Sequence, residues 1–167
     1  MRGLNVTRPP VSRRTAQTGR VLMVNTKLVA FKLDQDDDGW PPFRTESMHV
    51  EFVDEHSIRI GTPPFFIKDL AVGDVIKFVR NNDGEIYEFS HELKSDNSTI
   101  WIVSPGKLDV SNEIKALIKL GCSCEELEQV SLYSIHIPKD VNFDSVDLLL
   151  GKIEEFGGFI AEPAFRH

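Results

Sequence analysis

The chain has 167 residues, of which 41% are hydrophobic and 27% are charged. This is about the length of one domain and the composition of a folded protein, which excludes collagen, a long coiled coil and a wholly disordered chain. No apolar run reaches the roughly 18 residues that a membrane-spanning helix needs, so we expect no membrane partner. With only two neighbouring cysteines, Cys122 and Cys124, and no apolar leader, the sequence predicts a cytoplasmic protein.

Charge is divided unevenly along the chain. The formal net charge is −7, yet residues 1–20 contain five arginines and no acid, so this segment carries +5 and residues 21–167 carry −12. An acidic body repels phosphate backbones, because nucleic-acid affinity depends mainly on Lys and Arg. We therefore expect a basic protein partner and no nucleic acid. Residues 1–20 have no periodic apolar pattern, which predicts a flexible basic arm before a single domain at 21–167.

The first half of this domain, residues 21–104, has the alternation of apolar and polar residues that is typical of β-strands. The most distinct hairpin surrounds Asn81–Gly84, because Asn and Gly tolerate positive φ. The predicted strands lie at Val21–Leu33, Met48–Val53, Ile58–Ile60, Val75–Val79, Glu85–Phe89 and Thr99–Val103. Short strands joined by turns predict an antiparallel sheet that can curl toward a barrel.

The second half, residues 107–167, changes to helical periodicity. Ser111 is the predicted cap of a helix that ends at Gly121, and Asp144 is the predicted cap of a helix that ends at Gly157. The predicted strands around these helices are Val130–Pro138 and Phe159–Glu162. The fold class is therefore α+β: an antiparallel sheet is followed by a β-α-β-α-β half, whose two amphipathic helices pack on one face of a sheet.

Candidate metal ligands do not form a complete site. A run of alternating aspartates beginning at Asp34 is similar to the start of a calcium loop, but its twelfth position is Thr45, where the loop needs Glu. Cys122 and Cys124 have no second pair of Cys or His residues at zinc-site spacing. We expect no metal and no cofactor.

Catalytic candidates are equally incomplete. Ser98 or Cys122 could combine with His91 and Asp96 in a nucleophilic site. The chain has no nucleophile elbow, no glycine-rich oxyanion loop and no phosphate-binding glycine motif. The sequence therefore favours a protein that is not an enzyme, and we predict no catalytic residue.

Two aromatic segments are the strongest candidates for contact with a partner. In Gly61–Ile67, two prolines precede Phe65 and Phe66. Adjacent side chains of an extended chain point to opposite faces, so one ring can enter the core while the other meets a partner. Trp40 lies in a loop after three aspartates, which would attract a basic partner. The predicted partner-binding residues are Asp36, Asp37, Asp38, Trp40, Phe65 and Phe66.

Several short motifs lie in a fixed order between residues 25 and 165. They are Asp38-Gly39-Trp40-Pro41-Pro42, Glu46, Pro64-Phe65-Phe66, Leu70, Gly73-Asp74-Val75, Ser98-Thr99-Ile100, Leu120-Gly121-Cys122, Glu126 and Ile137-Pro138. Their order and spacing resemble a bacterial family classified as a domain of unknown function. The chain departs from the family pattern at Asp96-Asn97, where the family has Gly-His. The resemblance implies one compact β-rich domain and no particular activity.

The sequence favours a non-enzymatic protein-binding protein, and specifically an immunity protein that neutralises a cognate bacterial toxin by occluding it. A small acidic body can be steered to a basic partner and needs no chemistry of its own. Two alternatives stay open. One is a small-molecule-sensing or regulatory domain, since a curled sheet capped by helices can form a pocket. The other is a small enzyme that uses an isolated His or Ser.

Overall fold

The computed structural model describes residues 25–106 and 108–167. The predicted arm at 1–20 and the start of the first predicted strand lie outside these residues. The elements are β1 (Lys27–Lys32), β2 (Thr45–Phe52), β3 (Ser57–Ile60), β4 (Val75–Arg80), β5 (Ile86–Leu93), β6 (Ser98–Val103), α1 (Ser111–Lys119), β7 (Ser123–Leu127), a 3-10 turn (Glu128–Val130), β8 (Leu132–Ile137), α2 (Phe143–Glu155) and β9 (Phe159–Ala164). Within the described part of the chain, no helix is long and apolar enough to cross a lipid bilayer.

Strands β1 to β5 form a closed ring. Each strand pairs antiparallel with the next, and one parallel pair, Phe31 opposite Ile86, closes β5 onto β1. Alternate side chains point inward, as the period of a strand requires. The core inside the ring consists of Val29, Phe31, Met48, Val50, Ile58, Ile60, Leu70, Ile76 and Ile86. The predicted antiparallel sheet is confirmed, although closure through a single pair makes the ring less regular than a barrel.

Strands β6 to β9 form a second antiparallel sheet in the order β7-β8-β6-β9. Helices α1 and α2 pack on one face, and their apolar stripes form a core with Ile100, Ile102, Ile135 and Ile137 from the sheet. The connection from β6 through α1 to β7 passes over β8, which is the split β-α-β arrangement. The predicted α+β class, with two helices on one face of a sheet, is confirmed.

Two details of this second half differ from the sequence-based expectation. Strand β6 belongs to the second sheet, since it pairs with β8 and β9, so the order is β-α-β-β-α-β. The additional strand is β7, at the edge of the sheet. Only Cys124 and Leu127 of β7 are buried, and they do not share an alternating face. The period-two signal on which strand prediction depends is therefore missing.

The helix caps also differ from those predicted. No side chain caps α1 directly, and Asp109 Oδ1 instead accepts a hydrogen bond from the Ser111 N–H group at 2.9 Å. Asn142 caps α2, because its Oδ1 accepts from the Ser145 N–H group at 3.1 Å. Asp144 lies in the first turn of α2, where its charge favours the helix dipole.

Asp74 joins the ring to the end of the second sheet. Its buried carboxylate accepts hydrogen bonds from the N–H groups of Ala71 at 3.0 Å and Ser95 at 2.8 Å, and from two nitrogens of the Arg166 guanidinium. His91 Nε2 lies 3.2 Å from the same carboxylate. Because Arg166 follows β9, this bidentate, charge-assisted pair ties the two halves of the domain together.

The same contacts determine how Asp74 titrates. Burial alone raises the pKa of this carboxyl, but the hydrogen bonds from Arg166, Ala71 and Ser95 outweigh burial and hold the pKa below its ordinary value of 3.8. An aspartate with a lowered pKa stabilises the fold above its unfolded pKa, and this stability is lost as the pH falls through its folded pKa. The tie between the halves therefore weakens in acid.

Replacing Asp74 with Ala should lower the free energy of unfolding by about 3–5 kcal/mol at neutral pH, because it leaves the Arg166 guanidinium without its buried partner. Glu51 is the control: it is exposed and pairs with Arg59, so Glu51→Ala should cost less than about 1 kcal/mol. Urea unfolding at neutral pH measures both variants. The difference between wild type and Asp74→Ala should narrow as the pH falls below about 4. Equal losses in the two variants would contradict this role of Asp74.

Candidate functional site

The loop between β1 and β2 folds into a hydrogen-bonded turn that presents Trp40. Asp36 Oδ1 accepts from the N–H groups of Asp38 at 3.1 Å and Trp40 at 2.8 Å. The Asp36 N–H group donates to the Trp40 carbonyl at 2.7 Å. The Asp36 carboxylate therefore stabilises the turn by accepting these two backbone hydrogen bonds. The side chains of Asp37 and Asp38 are exposed, and no ion pair within the described residues engages them.

Trp40 packs against Phe66, which in turn contacts a second phenylalanine ring. Its own side chain is 52% exposed. Its ring meets the Phe66 ring edge to face, with centroids 5.8 Å apart and planes at 81°. Phe66 in turn contacts Phe43 at a centroid distance of 5.7 Å. An edge-to-face pair contributes about 0.5–1.5 kcal/mol beyond its buried area. About half of the Trp40 side chain therefore faces solvent, and its contact with Phe66 fixes the orientation of its ring.

A buried carboxylate determines where Phe66 lies. Glu46, in β2, is 1% exposed. Its Oε1 accepts from the Phe65 N–H group at 2.6 Å and its Oε2 accepts from the Phe66 N–H group at 3.0 Å. Hydrogen bonds to a charged acceptor are about twice as strong as neutral ones. The two N–H groups are thereby held next to strand β2 of the five-stranded ring.

The second sheet holds the same segment from the opposite side. The Pro64 carbonyl accepts from Trp101 Nε1 at 2.7 Å and from Ser134 Oγ at 2.6 Å. Phe65 is 6% exposed and packs with Leu127 and Leu132 in a small core between the two sheets. The segment Pro64–Phe66 is therefore fixed from both halves of the domain.

The structure brings five of the six predicted partner-binding residues onto one surface. We call this the Trp40 surface, and it consists of Asp36, Asp37, Asp38, Trp40 and Phe66. Phe65 is not on this surface, because it is buried in the core between the sheets. Phe66 is half-buried against the same core and contacts both Phe65, at a centroid distance of 6.4 Å, and Trp40. The expectation that the two adjacent rings point to opposite faces is therefore wrong, because the rings lie side by side.

Glu46 is the residue of this site whose role the sequence analysis missed. A signal was available, because Glu46 lies on the same alternating face of β2 as Met48 and Val50, and all three are buried. A carboxylate at an inward position of a strand needs hydrogen-bond donors, since burying an unpaired charge is costly. The N–H donors lie about twenty residues further along the chain. The alternation of β2 therefore predicts a buried acid but not its hydrogen-bond partners.

The nucleophilic candidates are not assembled with each other. His91 contacts Asp74, whereas Ser98 Oγ lies 2.7 Å from His167 Nδ1 and accepts from the Arg166 N–H group at 2.8 Å. Ser98 is 0% exposed. Its hydroxyl group is therefore enclosed by contacts with the C-terminal segment.

The two cysteines are buried thiols. Burial raises the pKa of Cys122 to about 11 and that of Cys124 to about 12, so both are neutral near pH 7. A neutral thiol is a poor nucleophile and a poor metal ligand. Across residues 25–106 and 108–167, no three His, Cys, Asp or Glu side chains are grouped as a metal site requires.

Residues 46–160 match the family described as "Domain of unknown function (DUF4265)". This match covers more than half of the chain, so the chain belongs to that family, and the predicted membership in a family of unknown function is confirmed. The Trp40 loop lies before the matched residues.

A search of curated proteins gives no match. The fold is similar to the crystal structure of a hypothetical protein from Neisseria gonorrhoeae, with a TM-score of 0.65 and 18% sequence identity over 86% of this chain and 99% of that one. This likeness concerns the fold alone.

Replacing Glu46 with Gln should lower the free energy of unfolding by about 1–3 kcal/mol, because one acceptor oxygen becomes an NH₂ group that faces a buried N–H donor. Glu51→Gln, in the same strand, is the matched control, because Glu51 forms an exposed pair with Arg59 and should contribute less than about 1 kcal/mol. Urea unfolding gives both values. The emission of Trp40, obtained as the difference between spectra recorded with Trp40 and with Trp40→Phe, should also change in Glu46→Gln, since Phe66 supports this ring.

No change in either stability or emission in Glu46→Gln would show that the carboxylate does not hold Phe66 in place.

Proposed function

We propose that this protein is a non-enzymatic protein-binding protein whose Trp40 surface docks on a basic partner. The observation that carries the proposal is the exposed Trp40 ring, held by a hydrogen-bonded turn and by its edge-to-face contact with Phe66. Tryptophan is enriched among residues that dominate binding energy. A ring that is already oriented loses little conformational freedom when it is covered, which favours binding.

The charges beside Trp40 define the partner's chemistry. Asp36, Asp37 and Asp38 precede it in one turn, and residues 21–167 carry a formal charge of −12. Acidic groups around an apolar anchor accelerate association with a basic surface and discriminate against acidic ones. A basic protein therefore fits this surface better than a neutral or an acidic protein.

The specific form of the proposal is an immunity protein of the bacterial cytoplasm that occludes a cognate toxin. Enzymes that attack nucleic acids bind phosphate backbones through Lys and Arg, so their clefts offer the complementary charge. An inhibitor of such an enzyme needs only to cover the cleft. It needs no nucleophile, metal or cofactor of its own.

Capture of the partner tests this proposal. Tagged wild type, Trp40→Ala and Leu148→Ala should be used as baits, since Leu148 is another large apolar side chain, 71% exposed and in α2. Wild type and Leu148→Ala should retain a basic protein at one-to-one stoichiometry, and Trp40→Ala should bind it at least about 30-fold more weakly. Expression of that protein alone should arrest growth, and co-expression of this chain should restore growth.

A captured protein that Trp40→Ala retains as strongly as wild type would show that the Trp40 surface is not the interface. A captured protein that is harmless alone would contradict the immunity role and leave the binding role standing.

Reversing charge beside Trp40 should slow association by about tenfold at low salt, because electrostatic steering is lost. In this variant Asp37 and Asp38 are replaced with Lys. Asp36 is replaced with Asn, which removes its charge but keeps the Oδ1 atom that accepts the hydrogen bonds of the turn. The matched control is Asp147→Lys with Glu154→Lys and Glu155→Gln, which changes the charge by the same amount at three exposed acids of α2. Stopped-flow mixing across a salt series gives the association rates. Equal slowing by both sets would mean that net charge, and not this loop, steers the partner.

A further inference from the structure

A cavity lies beside the pairing of β1 with β5 that closes the ring of strands. The only pairing of β1 with β5 in the described chain is Phe31 opposite Ile86. Beyond this pair β1 ends at Lys32, whereas β5 continues to Leu93, so the two strands separate. The resulting cavity has a volume of about 310 Å³. This is the lower end of the size of small-molecule binding sites.

The inner wall of this seam cavity is apolar and largely aromatic. Phe31, Leu33 and Ile86 line it and are buried. Phe66 and Phe89 also line it and are half-buried. Phe31 and Phe89 meet edge to face, with ring centroids 6.5 Å apart. A wall of ring edges and faces suits a flat aromatic ligand, because aromatic rings pack in the same offset and edge-to-face arrangements.

The mouth of the cavity carries charge. Lys32, Lys68, Asp34 and Tyr87 line it and are exposed. Neither lysine forms an ion pair with any residue in the described part of the chain. Two ammonium groups against one carboxylate leave a formal charge of +1 at the mouth, in a domain that is strongly negative. An anion is therefore the ligand group that this mouth favours.

We propose that the seam cavity binds a small aromatic organic anion, with its ring against the half-buried Phe66 and Phe89 and its carboxylate or sulfonate between Lys32 and Lys68. The apolar wall supplies most of the buried contact area, and the lysines fix the orientation. The seam cavity adjoins the Trp40 surface, because Phe66 belongs to both. The proposal does not depend on the protein-binding function.

Anilinonaphthalene sulfonate, a fluorescent aromatic sulfonate, is a suitable probe. Wild type should bind it with saturable fluorescence at one site. Lys32→Met with Lys68→Met should weaken this binding by about tenfold or more, because both charge-assisted contacts are lost. Asp34→Asn should strengthen it by a few fold, since the one acid at the mouth is removed. All of these side chains are exposed, so the variants should keep the wild-type circular dichroism and melting temperature.

Two controls distinguish binding at the seam cavity from non-specific binding of the dye elsewhere on the protein. Lys115→Met with Lys152→Met removes two exposed helical lysines and should leave the affinity within about twofold of wild type. Phenylnaphthylamine, a neutral analogue without the sulfonate, should bind wild type and Lys32→Met with Lys68→Met equally. Ile67→Trp places a larger side chain on the cavity wall and should weaken both probes.

The proposal is overturned if wild type does not bind the sulfonate, or if removing Lys32 and Lys68 weakens it no more than removing Lys115 and Lys152. It is also overturned if Ile67→Trp leaves binding unchanged while the fold is intact. None of these three results bears on partner capture by Trp40, so failure of this site and failure of the protein-binding function can be told apart.

Discussion

The buried carboxylate of Glu46 is the interaction on which the exposed surface depends. It holds the N–H groups of Phe65 and Phe66, while the carbonyl of Pro64 is bound by two side chains of the second sheet. Because this short segment is fixed from both sides, Phe65 is directed into the joint between the sheets and Phe66 lies beneath Trp40. The orientation of one exposed tryptophan is therefore a consequence of burying one glutamate, whose charge is satisfied by backbone donors.

Several of the motif residues stabilise the fold of this chain. Glu46 and Asp74 are buried acids that bind backbone N–H groups. Gly73 has a φ of +91°, and a Cβ atom there would lie 3.2 Å from the Cβ of Ser95. Thr99 Oγ1 donates to the Leu70 carbonyl across the joint at 3.1 Å. The Trp40 loop precedes the matched residues 46–160. These buried motif residues build a scaffold, and the scaffold presents the Trp40 loop.

Sequence patterns predicted most of the elements and only part of the site. Alternation identified the strands of the ring, and helical periodicity identified both helices, because each has one buried face. Strand β7 was missed since its two buried residues do not alternate. Trp40 and Phe66 were found because loop aromatics beside prolines are conspicuous. The roles of Glu46 and Asp74 depend on contacts across 17 to 92 residues of sequence, which local patterns do not encode. The two lysines of the seam cavity come from separate segments that only the fold brings to one cavity.

Hydrogen exchange of the chain, free and in complex with its captured partner, tests most directly whether the protein acts through the Trp40 surface. The account predicts slower exchange in the segments around residues 35–43 and 65–68 in the complex, with unchanged exchange along the outer face of α2. Protection confined to α2 and β9, with the Trp40 loop exchanging as in the free protein, would contradict it.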